Sequence, residues 1–256
     1  MLRSISARLV AAARAFGRPH AERPWDHEFA RWIADAERRG LDPNDVADEA
    51  WKPGEQVAHD YVLPHVDQAS VVLELGPGTG RITRHVLPRV REMVLVDFSA
   101  AVCDWLATYL RGSGRFRIHR LDAPAFPLVP ADSVDFAFAQ GVFEHLDLED
   151  LSFFLEEFRR VLRPGARLYF DFDTLMSEEG LETFWRTRGP TPGGRSPFRF
   201  YHPDAVRRVV DALGFEDVRM GTWSPRSRFV LLQARKPGPP RSRPGGDRPP
   251  PWQHEL

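Results

Sequence analysis

The chain has 256 residues, 42% of them hydrophobic, and a formal net charge of -1 from 35 basic and 36 acidic groups. That length suits one full-sized domain with appendages, and the apolar fraction can fill a sizeable core. The balanced charge argues against a general nucleic-acid-binding role. No apolar run approaches the roughly 20 residues that span a bilayer.

The lone cysteine, Cys103, excludes an internal disulfide framework and nearly excludes a cysteine-built zinc site. It fits a reducing, cytoplasmic compartment. No metal is expected, and the oligomeric state is not legible. Basic residues are almost all arginine, with only Lys52 and Lys236 as lysines.

The first seventeen residues, MLRSISARLVAAARAFG, are arginine-rich and free of acids. The plain reading is a short amphipathic helix. An organelle presequence and a membrane-surface or partner helix are the alternatives. Pro24 suits the first turn of a helix burying Trp25, Phe29, Trp32 and Ile33, with Gly40 at its end. A further helix is predicted from about Gly54 to Val66. Residues 1–53 thus read as a helical extension and 54–235 as the main domain.

From Val71 strands alternate with helices. VVLEL (71–75) and MVLVD (93–97) are the first two strands, with a short helix over 81–87 between them. Ser99 caps a helix over 100–110. RFRIHRL supplies a third strand over 116–121, and VDFAFA (134–139) a fourth. Leu151, Phe154, Leu155, Phe158, Val161 and Leu162 recur at helical spacing. Pro164-Gly165 should stop that helix, and ARLYFDF makes the fifth strand. A helix over 203–213 and two strands near 217–220 and 228–233, paired as an antiparallel hairpin, complete the domain. Residues 174–201 read either as a lid or as a solvated insertion. Lys236 to Leu256, dense in proline, glycine and arginine, read as a disordered tail.

This alternation implies a mostly parallel sheet covered on both faces, with ligands outside the carboxyl ends of its strands. The informative residues therefore follow strands one to four. Glu74-Leu75-Gly76-Pro77-Gly78-Thr79-Gly80-Arg81 puts three glycines at alternate positions, so a ligand can lie against bare backbone. Arg81 stands where a dinucleotide fingerprint needs glycine. A nucleoside with an amino-acid tail fits better than a pyrophosphate.

Asp97, 17 residues beyond Gly80, can accept both hydroxyls of a ribose. Asp122 and Ala123 follow the third strand. Asp122 could accept from an exocyclic amine or simply make an Asx turn. Gln140 to Leu146 follow the fourth strand. Within them His145 is a candidate general base, or else a cap or a packed side chain. Asp171 and Asp173 share one face of strand five, where orienting an acceptor competes with strand-end solvation or helix capping.

ELGPGTGR, VDFS, LDA, SVDFAFAQGVFEHL and RVLRPGARLYF together resemble the motif series of class I S-adenosylmethionine-dependent methyltransferases, in its small-molecule branch. The resemblance covers roughly 57–236. It implies an α/β, Rossmann-like three-layer sandwich with a seven-stranded, mostly parallel sheet whose last strand is antiparallel. It implies S-adenosylmethionine as cofactor, with Glu74, Gly76, Gly78 and Gly80 around its methionine part. It implies Asp97 at the ribose, Phe98 on or near the adenine, Asp122 and Ala123 at its amine, and Gln140 at the methionine moiety. His202 departs from the usual serine or threonine cap.

The expected function is methyl transfer to a small-molecule acceptor, most simply an oxygen. A non-catalytic binding or scaffold protein of the same fold is the alternative. A nicotinamide-dependent reductase is disfavoured by the glycine spacing.

Overall fold

The computed structural model of the chain describes residues 24–189, 198–239, 252 and 254–256. The expected helix within the first seventeen residues, positions 190–197 of the insertion and positions 240–251 and 253 of the tail lie outside the described residues.

Two helices open the described chain: α1 (Pro24–Arg39) and α2 (Pro43–Ala50). Gly40, at φ +65°, ends α1, as its lack of a Cβ allows. Asp42 starts α2 by accepting from Asn44 N at 2.8 Å. Next, α3 (Gly54–Val57) runs on through a π turn (Ala58–Val62) and a 3-10 turn (Leu63–His65). The single helix expected over 54–66 therefore changes hydrogen-bonding pattern along its length. Pro64, which has no N–H to donate, sits in its last turn.

The strands are β1 (Val71–Leu75), β2 (Glu92–Asp97), β3 (Phe116–Arg120), β4 (Val134–Ala139), β5 (Leu162–Asp173), β6 (Glu216–Thr222), β7 (Phe229–Arg235) and β8 (His254–Glu255). Between them lie α4 (Thr83–Val86), α5 (Ala100–Tyr109), α6 (Leu148–Val161), α7 (Glu178–Thr187) and α8 (Pro203–Ala212). Pro164-Gly165 falls inside β5, after α6 has already stopped at Val161. A register shift between β4 and β5 absorbs it.

The sheet order is β3-β2-β1-β4-β5-β7-β6-β8. Strands β1 to β5 pair in parallel, and β7 runs antiparallel to both β5 and β6. The seven-strand expectation is corrected by β8, which pairs antiparallel with β6. The disordered reading of 236–256 was compositional, and its last residues behave differently. Leu256 N donates to Met220 O at 3.0 Å, and Trp252 lies over Gly221, where any Cβ would collide with its indole.

Alternating strand residues feed two cores, one on each face of the sheet. Val94 and Val96 of β2, with Phe170 and Phe172 of β5, join Phe154 and Phe158 of α6 on one face. Met93 and Leu95 of β2, with Phe136 and Phe138 of β4, join Tyr61 and Leu106 on the other. Strands β2 and β3 lie on one side of β1 and β4 and β5 on the other, so the chain reverses winding between β1 and β4. A crevice opens there at the carboxyl ends.

Candidate functional site

A cleft lies in that crevice. Its floor is the glycine loop, Gly76 to Thr79, and its sides are Asp97 and Phe98 after β2 and Gln140 to Val142 after β4. His145 and Leu146 line it further along the β4 loop.

The glycine loop is held from both ends. Gly76 N donates to Val96 O at 2.9 Å, and Thr79 O accepts from Trp105 Nε1 at 3.1 Å. Gly76 and Gly78 have φ of +69° and +55°, a region that favours glycine. The two differ in what a side chain would meet. At Gly76 a Cβ would collide with Val142, whereas at Gly78 it would meet nothing within 4 Å. The bare backbone at Gly78 thus faces open cleft, a surface that a flat or chain-like ligand can touch.

Asp97 ends β2 with its Oδ1 accepting from Ser99 N at 2.8 Å, which fixes the carboxylate at the rim. Ser99 then caps α5, accepting from Val102 N at 3.1 Å, and donates its hydroxyl to Asp26 of α1. Phe98 lines the cleft and meets Phe154 edge-on at 5.9 Å.

Gln140 is buried and clamped. Its Nε2 donates to Asp171 Oδ2 at 2.6 Å, and its Oε1 accepts from the Tyr169 hydroxyl at 3.2 Å. Asp171 Oδ1 accepts from Gly141 N at 2.7 Å. Burial, and then the neighbouring Glu144, raise the Asp171 pKa, while the Gly141 hydrogen bond opposes them. Asp173 is raised for the same first two reasons and pairs with Arg228. Neither aspartate is solvated at a strand end or caps a helix. Asp171 organises the β4 loop, and Asp173 ties β5 to the start of β7.

Six of the expected site residues therefore meet at this cleft: Gly76, Gly78, Asp97, Phe98, Gln140 and His145. Glu74 sits beneath the floor rather than on it. It is 2% exposed and accepts from the Thr83 hydroxyl at 2.6 Å. Burial pushes its pKa up to about 7, against the Thr83 hydrogen bond and the Arg81 charge. Gly80 also lies off the cleft, and a Cβ there would approach Leu106 to 3.0 Å. Asp122, which is exposed, and Ala123 do not line it. His202 caps α8 in place of a hydroxyl, its Nδ1 accepting from Asp204 N at 3.3 Å.

The sequence reading gives Trp32 a packing role only, and as cleft residues it leaves out Trp32, Trp51 and Arg81. Trp32 and Trp51 meet edge-on at 5.1 Å and line the cleft. Arg81, 8% exposed, lines it too. The three tryptophans of the extension were a sequence signal. The side chain of Trp25 lies outside the described residues. Among the described residues no cluster of histidine, cysteine, aspartate and glutamate could hold a metal ion. Their helices include none long and apolar enough to cross a membrane.

Comparison with known proteins agrees with this geometry. A family model described as a methyltransferase domain matches residues 73–170. An uncharacterised methyltransferase of Geobacillus kaustophilus is 32% identical over 114 residues, 44% of this chain. The match spans 52% of that relative, so the chain covers about half its length. Among solved structures, an S-adenosylmethionine-dependent methyltransferase of Thermotoga maritima, described as a possible histamine N-methyltransferase, superposes with a TM-score of 0.57 at 20% identity. That superposition covers 83% of this chain and 99% of the other. Another from Archaeoglobus fulgidus gives 0.56 at 16% identity, over 75% and 98%. At such identities the structures establish the fold alone. Residues 73–170 are thus similar to a methyltransferase domain, and the fold around them is that of S-adenosylmethionine-dependent methyltransferases.

Proposed function

We propose that this chain moves a methyl group from S-adenosylmethionine to a small-molecule acceptor, an oxygen nucleophile, by in-line displacement. The observation that carries this reading is the Gly78 backbone facing open cleft between the Asp97 carboxylate and the clamped Gln140 amide. A nucleoside with an amino-acid tail suits that run of groups. Asp97 would take the ribose hydroxyls, Phe98 would border the base, and Gly76, Gly78 and Gln140 would line the tail. Glu74 and Gly80 support this floor from below. Asp122 and Ala123 are proposed at the adenine amine.

When bound, the cofactor supplies an electrophilic methyl on a sulfonium. The protein then has to bind, align and keep out water, and alignment alone can contribute roughly 7–11 kcal/mol. His145 is the proposed proton acceptor for an acceptor hydroxyl. It lines the cleft, and its Nε2 lies 3.4 Å from Glu144 Oε1, a carboxylate able to stabilise an imidazolium. Residues 174–201 are the proposed cover of the acceptor. Phe198 lies 5.3 Å from the His145 ring, a contact that supports this reading. Balanced charge supports a small acceptor rather than RNA, and the half-buried Cys103 suits a cytoplasmic location.

Calorimetry with S-adenosylhomocysteine tests the cofactor half. Absence of binding overturns the proposal. Incubating the protein with isotopically labelled methyl donor and a small-metabolite extract tests the acceptor half. Label appearing only in protein or RNA overturns the small-molecule assignment. A His145→Ala variant should lose turnover while keeping its affinity for S-adenosylhomocysteine.

A further inference from the structure

Arg81 is unusual among the cleft residues because its surroundings come from outside the sheet. Its Nη1 donates to Lys52 O at 2.6 Å and lies 3.7 Å from Asp48 Oδ1. Its guanidinium carbon stands 5.8 Å from the centre of the Trp51 ring. Asp48, Trp51 and Lys52 all belong to the N-terminal extension. Gly54, at the start of α3, packs against the Arg81 backbone so closely that any Cβ would strike its carbonyl.

A guanidinium has five N–H donors and stays charged even when buried. The Lys52 carbonyl takes one of them, and the Asp48 contact is longer than a hydrogen bond. None of the remaining nitrogens is sealed from solvent without a partner. Arg81 lines the cleft, and a guanidinium with donors to spare is the group a ligand's anion would seek there. Its charged neighbours are Asp48 of α2, Glu74 of β1 and Asp171 of β5, whereas Asp97 closes β2 on the other side of β1.

We infer that Arg81 binds the carboxylate of the cofactor's amino-acid tail, and that the N-terminal extension aims it. This rests on the cofactor reading proposed above. An arginine fork meets a carboxylate in two parallel hydrogen bonds, and such charge-assisted bonds in a partly dehydrated site are strong. The extension is then part of the binding site. Removing the Lys52 carbonyl, Asp48 or Trp51 would leave a long side chain free to rotate.

Three probes test this with the full chain by calorimetry: S-adenosylhomocysteine, its decarboxylated analogue, and 5′-methylthioadenosine, which lacks the whole tail. The wild type should bind S-adenosylhomocysteine about tenfold or more tightly than the decarboxylated analogue, the scale of a charged hydrogen bond. Arg81→Gln should erase that gap and change methylthioadenosine affinity by less than about twofold. A gap that survives in Arg81→Gln overturns the inference. So does an equal loss for all three probes, which would mean a purely structural arginine. If Arg81→Gln does not fold, the wild-type comparison decides, and equal binding of acid and decarboxylated analogue overturns it. A wild type that binds methylthioadenosine but shows no gap sinks the Arg81 assignment alone. One that binds none of the three sinks the cofactor reading as well.

Discussion

The Asp171 carboxylate on β5 accepts a 2.6 Å hydrogen bond from the side-chain amide of Gln140 at the end of β4. A neighbouring strand thus sets the orientation of a cleft-lining side chain. The same carboxylate takes Gly141 N, so one residue fixes both a side chain and a backbone turn.

Replacing Asp171 with asparagine leaves one oxygen for two donors and turns an NH2 toward the other. An unmet buried donor costs about 1–3 kcal/mol. Asp171→Asn should therefore melt at lower temperature and bind S-adenosylhomocysteine more weakly. The effect is best read at about pH 8, where the raised carboxyl is ionised. Unchanged affinity would show that the β4 loop holds its shape without this clamp.

Asp97→Ala removes the rim carboxylate. S-adenosylhomocysteine affinity should fall by roughly 1.5–3 kcal/mol, the range for hydrogen bonds to a charged group. Stability should change little beyond the loss of the Ser99 N bond, and thermal melts without ligand check that. A loss of binding smaller than about 0.5 kcal/mol would place the ribose elsewhere.

Gly78→Arg combines two obstacles. Residue 78 keeps a positive φ that non-glycine residues adopt at a cost of about 1 kcal/mol, and its side chain would project into the cleft. Binding should be abolished, as read by calorimetry, with only a modest shift in melting temperature.

Stability should fall as pH rises between about 4.5 and about 7, in part because of Glu74. Its folded pKa, about 7, lies above its ordinary 4.5, so the folded state holds the proton longer than the unfolded state. Deprotonation through this window therefore favours unfolding. Asp171 and Asp173 act in the same direction. Glu74→Gln keeps an acceptor for Thr83 and should flatten part of the slope in chemical denaturation series across that window. An unchanged slope would assign the effect to the aspartates.

Strands β1 to β4 were legible because each reads as a short apolar run or alternation bounded by turn residues. The floor of the cleft was legible too. Alternate glycines mean little unless a strand precedes them, and here β1 does. Asp97 followed from counting one helix and one strand beyond Gly80.

What escaped was tertiary. Arg81 reads as a fingerprint mismatch until Lys52 and Asp48 are seen to hold it. Asp171 reads as a strand-end aspartate until Gln140 and Gly141 are found on its two oxygens. The resemblance puts Glu74 at the cofactor's methionine part, and only the fold shows the Thr83 hydroxyl on its carboxylate. The tail was judged by its prolines, which hid the few residues after them that can extend a sheet.

Those few residues have a consequence of their own. An open sheet ends in a row of unsatisfied backbone groups, and such a border recruits other chains. On β6 the border is taken by β8, two residues long, with Trp252 shielding the Gly221 gap. β8 thereby withholds the Gly221–Thr222 end of that margin from intermolecular strand addition.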